Sequence, residues 1–416
     1  MAYDLVERRV FVTDLQIGMF VSRLDCEWSD TPFPLQGVPI TSREDIDNLA
    51  KFCKYVFVDT QRQVATSSWL APPSVVKPAA VKPPPPRVPL NTRLITQHAY
   101  TDTASFDDEM PRAREAFETV SKFAEQLVAD IHAGKSIDPQ ALDAAVRPMV
   151  ASVLRSGDAF FWIESLRRHD SYTFRHAVGC STLAASFGRH MGFHGDAIVS
   201  LAAGALLMDV GKAQLPREIL EREGPLNDME WDLARHHVEE GGAILDAAGV
   251  TDQEVRDMVL THHERFDGSG YPEGLAGTAI PLAGRMAAII DTYHAMCTPR
   301  PYRPAVSQHL ALRQLYQGRD REYQGELVEQ FQACLGVYPT GSLVELNTGE
   351  VAVVMVQNQS RRLQPRVAIL VGADKVELDE FRIVDLMRQA EGIHREIQRT
   401  LPAGSYGIDP SEYFLA

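Results

Sequence analysis

Six residues, His176, Asp209, His237, His262, His263 and Asp291, carry side chains from which a metal centre can be built. Four imidazoles and two carboxylates suit a borderline first-row divalent metal better than calcium or magnesium, which prefer all-oxygen surroundings. In "YTFRHAVGCSTLAASF", His176 shares a helical face with Tyr172, Cys180 and Leu183, so its ring is expected to point inward. In "DMEWDLARHHVEEGGAIL", His237 lies on a stripe with Leu233, Gly241 and Ile244, whereas His236 falls with Asp232 and Glu240 and is expected to face solvent. In "THHERFDGSGYPEG", His262 and His263 diverge by about a quarter turn if helical, so the pair can address two neighbouring ions. Asp209 in "LLMDVGK" and Asp291 in "MAAIIDTYHAMC" each follow an apolar run. An ionised carboxylate without a partner is costly there, and metal coordination is one of the few remedies.

One acid could bridge two ions, and such a pair of cations, typically about 3.5 to 4 Å apart, can lower the pKa of a bridging water and clamp the attacking and leaving oxygens of a phosphoester. Phosphodiester hydrolysis is the reaction that fits this donor set.

These residues must be carried by helices, and the chain supplies them. A length of 416 residues predicts two or three domains. Residues 1–62 mix β-branched runs ("RRVFVTD", "KYVFVDT") with a helical "TSREDIDNLAKF", which predicts a small α/β domain. Residues 63–103 contain "APPSVVKPAAVKPPPPRVPL", a proline-rich linker. From 104 to 340 the apolar period is helical, as in Phe117, Val120, Phe123, Ala124 and Leu127. In 341–416, "GSLVELNTGEVAVVMVQ" predicts a β-hairpin turning at Asn347, Thr348 and Gly349, "PRVAILVG" a further strand, and "ELDEFRIVDLMRQ" a short closing helix.

The formal charge of −15 argues against a nucleic-acid polymer as partner, so an anionic substrate must be met by local cations. Five widely spaced cysteines with no CxxC pair read as reduced thiols. No stretch predicts a membrane span and the N-terminus does not read as a signal peptide, so a cytoplasmic protein is expected.

Residues 150 to 340 resemble the HD-GYP family, a branch of the HD metal-dependent phosphohydrolases that cleaves the bacterial second messenger cyclic di-GMP. The likeness rests on "HHERFDGSGYP", "LLMDVGK", "HVEEGGAIL" and "DTYHAMCTPRPYR". Residues 1–62 are similar to an uncharacterised domain often placed ahead of such units, notably in "TPFPLQGVPITS" and "CKYVFVDT".

The resemblance implies a mainly α fold, an HD-type helical bundle with a small N-terminal α/β domain and a short C-terminal β-hairpin. It implies divalent metal ions, a binuclear iron or manganese site, held by His176, Asp209, His237, His262, His263 and Asp291. Asp209 and Lys212 would be catalytic, and Lys212, Gly270, Tyr271, Pro272, Arg300 and Arg303 would contact cyclic di-GMP. Other signalling proteins such as diguanylate cyclases are candidate partners. Lys212 and the two arginines are the local cations that a dianionic dinucleotide requires in an acidic chain.

Three positions depart from the family pattern. Met208 stands where the family's first-named histidine should ligate one ion, and a thioether is a poor ligand for iron or manganese. His294 stands where an acid is usual, and Tyr172 stands where three-metal forms carry a glutamate, so at most two ions are expected. Three readings follow: a phosphodiesterase with one weakened metal site, a cyclic di-GMP sensor or partner-docking module without turnover, or another HD-type nucleotide phosphohydrolase.

Overall fold

The computed structural model describes residues 7–24, 38–40, 42–59, 99–166, 172–298, 305–358, 361–389 and 394–408, less 221, 223, 225 and 403. The chain divides into two compact units, Met1–Lys82 and Pro83–Ala416, a division that falls within residues 63–103.

In the first unit, β1 (Glu7–Phe11), β2 (Phe20–Leu24), β3 (Val38–Pro39) and β4 (Tyr55–Asp59) form an antiparallel sheet in the order β1-β4-β2-β3, with Glu7 opposite Asp59 and Phe11 opposite Tyr55. Helix α1 (Arg43–Leu49) starts on a reciprocal cap in which the Ser42 side chain accepts from the Asp45 amide and the Asp45 carboxylate accepts from the Ser42 amide. Its Ile46 and Leu49 join Val12, Val21, Ile40, Val56 and Val58 in a small core.

The second unit is helical from α2 (Phe106–His132) through α3 (Pro139–Arg155), α4 (Ala159–Leu166), α5 (Tyr172–His190) and α6 (Gly195–Leu207). It continues through α7 (Arg217–Leu220), α8 (Asp228–Arg235), α9 (His237–Ala247), α10 (Gln253–Thr261), α11 (Leu282–Cys297), α12 (Gln308–Gln317) and α13 (Gly325–Leu335). Helix α6 is apolar on every side, and from Ala197 to Leu207 each residue except Ser200 is buried. A helix of that kind has to run through the middle of a bundle. Helix α11 behaves likewise, with every residue from Leu282 to Asp291 buried. The two helices that bring the carboxylates of interest are therefore almost wholly enclosed.

At the C-terminus, β5 (Leu343–Leu346) and β6 (Val351–Val356) pair around the expected turn, with Leu343 opposite Val353. They belong to a larger sheet, however. With β7 (Arg366–Val371), β8 (Glu377–Asp385) and β9 (Ile397–Leu401) they make five antiparallel strands in the order β8-β7-β6-β5-β9. The helix expected over "ELDEFRIVDLMRQ" is thus corrected to strand β8. Leu378, Phe381 and Val384 recur every third residue and imitate a helical stripe. The unpaired backbone edge of β7 wins instead, with Arg366 opposite Asp385 and Val367 opposite Val384.

Asp158 ties this sheet to the bundle. It accepts from the Thr340 hydroxyl at 2.8 Å and from the Gln357 amide at 3.1 Å. Burial pushes its carboxyl up to about 6 despite those bonds. A folded value above the unfolded one means that the native state holds this proton more tightly. The resulting stability is present below about pH 4 and is lost as pH rises toward 6, on the order of 3 kcal/mol. In urea unfolding of wild type and Asp158→Asn, the variant should gain stability relative to wild type as pH rises from about 4 to 7; a constant difference would mean that this carboxyl titrates normally.

Candidate metal centre

Asp209 follows Met208 at the C-terminal end of α6 and opens a 3-10 turn, Val210–Gln214. The apolar helix thereby delivers a carboxylate into the interior. His237 begins α9, His262 caps the end of α10 with His263 next, Asp291 lies on α11 and His176 on α5. The six residues that the sequence singled out converge. Asp209 Oδ1 lies 3.5 Å from His237 Nε2 and 3.6 Å from His262 Nε2, and Asp209 Oδ2 lies 3.7 Å from His176 Nε2. Asp291 Oδ1 is 3.0 Å from His176 Nε2, and its Oδ2 is 3.8 Å from His263 Nδ1.

Hydrogen bonding fixes which nitrogens face inward. His237 Nδ1 donates to the Ala234 carbonyl at 2.7 Å, and His262 Nδ1 donates to the Val259 carbonyl at 3.0 Å. A carbonyl can only accept, so each ring carries its proton on Nδ1 and directs an Nε2 lone pair into the centre. Those two lone-pair nitrogens are 3.3 Å apart, and neither has a proton to give the other. Between them sits Asp209 Oδ1, buried and without a hydrogen-bond partner among the described residues. Two facing lone pairs and an orphaned carboxylate oxygen form a pocket of negative potential that a cation satisfies and no other group among the described residues does. The ligand atoms of Asp209, His237, His262 and His263 all lie within 4.8 Å of one another, so the donor set fits a small metal ion.

The electrostatics agree. Burial pushes His237 down to about 4 and, with the His262 ring beside it, pushes His263 well below the imidazole range, so both stay neutral as ligands must. Burial opposes the charge on Asp209 and Asp291. Burial is the largest single influence at each, but the opposing interactions together outweigh it, led by Lys212 at Asp209 and by the His176 hydrogen bond at Asp291, and both carboxyls are held well below their usual range.

Lys212 explains the acid at the end of α6 in a way the sequence reading missed. Its Nζ lies 2.6 Å from Asp209 Oδ2, across one turn of chain. Met208 is 1% exposed, so no imidazole enters from that position. On the far side of His176, the rings of His176 and His294 meet with Nδ1 to Nδ1 at 3.0 Å. His236 is exposed, as expected, but so is Leu233, because a turn at His236 separates α8 from α9 and the stripe does not run across it. Arg300, Arg303 and the Tyr172 side chain lie outside the described residues.

The GYP turn folds back over this centre. Tyr271 N donates to the His263 carbonyl at 3.2 Å, and its ring stacks on the His263 ring with centroids 4.7 Å apart. Gly270 is required there because a Cβ would run into the backbone of His263, Glu264 and Arg265. The Tyr271–Pro272 bond is cis. Beneath the turn, the buried Glu264 carboxylate accepts from the amides of Glu273 at 2.8 Å and Leu275 at 3.0 Å. Arg235 was not anticipated: its guanidinium lies 5.3 Å from the Tyr271 ring and 5.5 Å from that of Trp231. Exposed Met229, Trp231 and Leu233 on α8, which has no buried residue, were the available signal.

An HD domain matches residues 161–327, a domain of unknown function (DUF3391) matches 7–142, and a KOW domain associated with HD domain matches 343–392. Over 392 residues the chain is 32% identical to the cyclic di-GMP phosphodiesterase PA4108 of Pseudomonas aeruginosa, covering 92% of this chain and 90% of that protein. The chain belongs to the HD-GYP family. A cyclic di-GMP phosphodiesterase of Thermotoga maritima is 32% identical over 163 residues, 39% of this chain and 44% of that protein. The 3'3'-cGAMP-specific phosphodiesterase 2 of Vibrio cholerae is 37% identical over 124 residues, 30% of this chain and 24% of that protein. Within this HD-GYP chain, no helix among the described residues is long and apolar enough to cross a membrane.

Glu264 is expected to hold the GYP turn through its two accepted amides. Glu264→Ala should cost about 1–3 kcal/mol in denaturant unfolding, the range for stranding buried donors. An unchanged midpoint would show that the turn is held by other means.

Proposed function

We propose that the chain is a metal-dependent phosphodiesterase that hydrolyses cyclic di-GMP to pGpG, GMP or both, in the cytoplasm. The observation that carries this reading is the pair of facing Nε2 atoms around the partnerless Asp209 Oδ1, since such a pocket calls for a cation. The matched relatives, which carry phosphodiesterase names, support the same reading.

His237 and His262 would hold one ion and His176 and Asp291 a second, with Asp209 serving both, because its Oδ1 faces the first pair and its Oδ2 faces His176; His263, near the first group and 3.8 Å from Asp291, would serve either. Iron or manganese suits this nitrogen and oxygen set. When bound, a pair of such cations supplies Lewis-acid polarisation of the phosphoryl oxygens and a water of lowered pKa.

The chain's own groups do the rest. The backbone carbonyls of Ala234 and Val259 hold the ligand rings in their required tautomers. Lys212, bound to Asp209 and still 29% exposed, offers positive charge to an incoming phosphate. Burial, with Asp291 and Asp209 nearby, pushes the Tyr271 phenol up, so it remains an O–H donor toward a phosphate oxygen rather than a repelling anion. The stacked Tyr271 also gives a guanine a planar neighbour. Arg300 and Arg303 stay assigned to the substrate phosphates on the sequence motif.

The buried Met208 favours a second reading, a cyclic di-GMP sensor whose turnover is impaired. Incubation of the purified chain with manganese or iron(II) and either cyclic di-GMP or 3'3'-cGAMP, followed by product separation, decides. Linear pGpG or GMP from cyclic di-GMP is expected. Binding without products would establish the sensor, and cleavage confined to 3'3'-cGAMP would overturn the substrate assignment. Asp209→Ala should abolish turnover. Met208→His should raise metal per chain and turnover together, and no rise in either would mean that Met208 is not the weak point.

A further inference from the structure

His294 and Glu164 lie behind His176, away from the carboxylates, and none of the roles assigned above uses them. His294 sits on α11, one turn after Asp291, and Glu164 on α4. His294 Nδ1 is 3.0 Å from His176 Nδ1 and 3.3 Å from the Thr298 hydroxyl oxygen, while His294 Nε2 is 3.8 Å from Glu164 Oε1. The opposite edge of His176, Nε2, is the one that faces Asp291 and Asp209.

A second observation singles out the same ring. At Gly179 on α5, a Cβ would fall onto His294 Nε2 and its neighbouring ring carbons. Glycine at that position leaves the space into which the imidazole packs. Cys180 Sγ lies 3.7 and 3.9 Å from the two nitrogens of His176, nearly equidistant, and so packs against that ring rather than bonding one nitrogen.

We propose that Glu164 and His294 form a positioning chain for His176. The Glu164 carboxylate, at 3.8 Å too far for a direct hydrogen bond, favours through its charge the His294 tautomer protonated on Nε2. Without an ion His176 gives its single ring proton from Nε2 to Asp291 Oδ1. With a cation engaging that carboxylate, the proton would sit on Nδ1 and be accepted by His294 Nδ1, leaving the His176 Nε2 lone pair toward the space between Asp209 and Asp291. Ala234 and Val259 do this for His237 and His262 through backbone carbonyls. His176 receives it from a side chain, because its Nδ1 meets His294 of the neighbouring α11 rather than a free helix end. His294 is therefore a positioning residue and not a replacement ligand for the imidazole that Met208 lacks. This inference rests on the metal-centre reading above.

The test is manganese(II) binding to the full chain, first stripped by a chelator, with no substrate present. Loss of an outer hydrogen-bond partner typically weakens metal binding about 10- to 100-fold. His294→Ala should show that loss, with the number of nitrogen ligands per manganese, read by X-ray absorption or pulsed electron paramagnetic resonance, unchanged. His294→Asn should recover part of the affinity, because its amide oxygen can accept from His176 Nδ1. Gly179→Ala, which displaces the ring without removing any polar group, should resemble His294→Ala, and Glu164→Gln should give a smaller loss and serve if either of those variants fails to fold. Unchanged affinity in folded His294→Ala overturns the proposal. So does a lower nitrogen count or a sulfur ligand, which would make His294 or Cys180 a direct ligand. His176→Ala is the control: if it binds manganese as wild type does, the metal-centre reading itself fails and the positioning chain falls with it.

Discussion

The cost of burying charge governs the architecture of this bundle. Helices α6 and α11 are almost wholly enclosed, and both deliver a carboxylate into the interior. Apolar surroundings oppose the ionised form of Asp209 and Asp291, yet both are held ionised. Lys212 at Asp209 and the His176 hydrogen bond at Asp291 lead the interactions that oppose this cost. Removing either partner would strand an acid in an apolar interior, which is far more destabilising than never having built the pair. Function and stability therefore compete for the same few residues.

The imidazoles are arranged to hold electron pairs rather than protons. Burial keeps His237 and His263 neutral, and backbone carbonyls at the ends of α8 and α10 take the Nδ1 protons of His237 and His262. Helix termini leave carbonyls unpaired, so a histidine next to a helix end finds an acceptor without any further side chain. The turns at His236 and His262 interrupt the helical pattern to supply those acceptors. The GYP turn is then stapled from below by Glu264, which sets Tyr271 against His263 and leaves Arg235 and Trp231 at its outer side.

The surrounding elements carry less of the chemistry but constrain it. Asp158, just after α3, reaches the C-terminal sheet, so bundle and sheet share a half-buried polar contact. The first unit, with its own four-stranded sheet and core, carries no metal-ligating group of three or more among its described residues.

Much of the site was legible from residue types. His176, Asp209, His237, His262, His263 and Asp291 could be picked out because acids at the ends of apolar runs and histidines on inward faces have few cheap explanations, and the helical period put them on or at the ends of five segments. The β-rich C-terminus was legible as strands wherever alternation was plain. It failed at β8, where spacing of three suited a helix and only the open edge of β7 decided otherwise. Tertiary structure alone determined the rest. That Lys212 neutralises Asp209, that Arg235 reaches Tyr271 and that His294 meets His176 are facts of approach between segments far apart or turned by loops. Sequence spacing reports the direction of a side chain along its own helix. It carries no information on which nitrogen of a ring faces which neighbour, because that is set by hydrogen-bond acceptors on other elements.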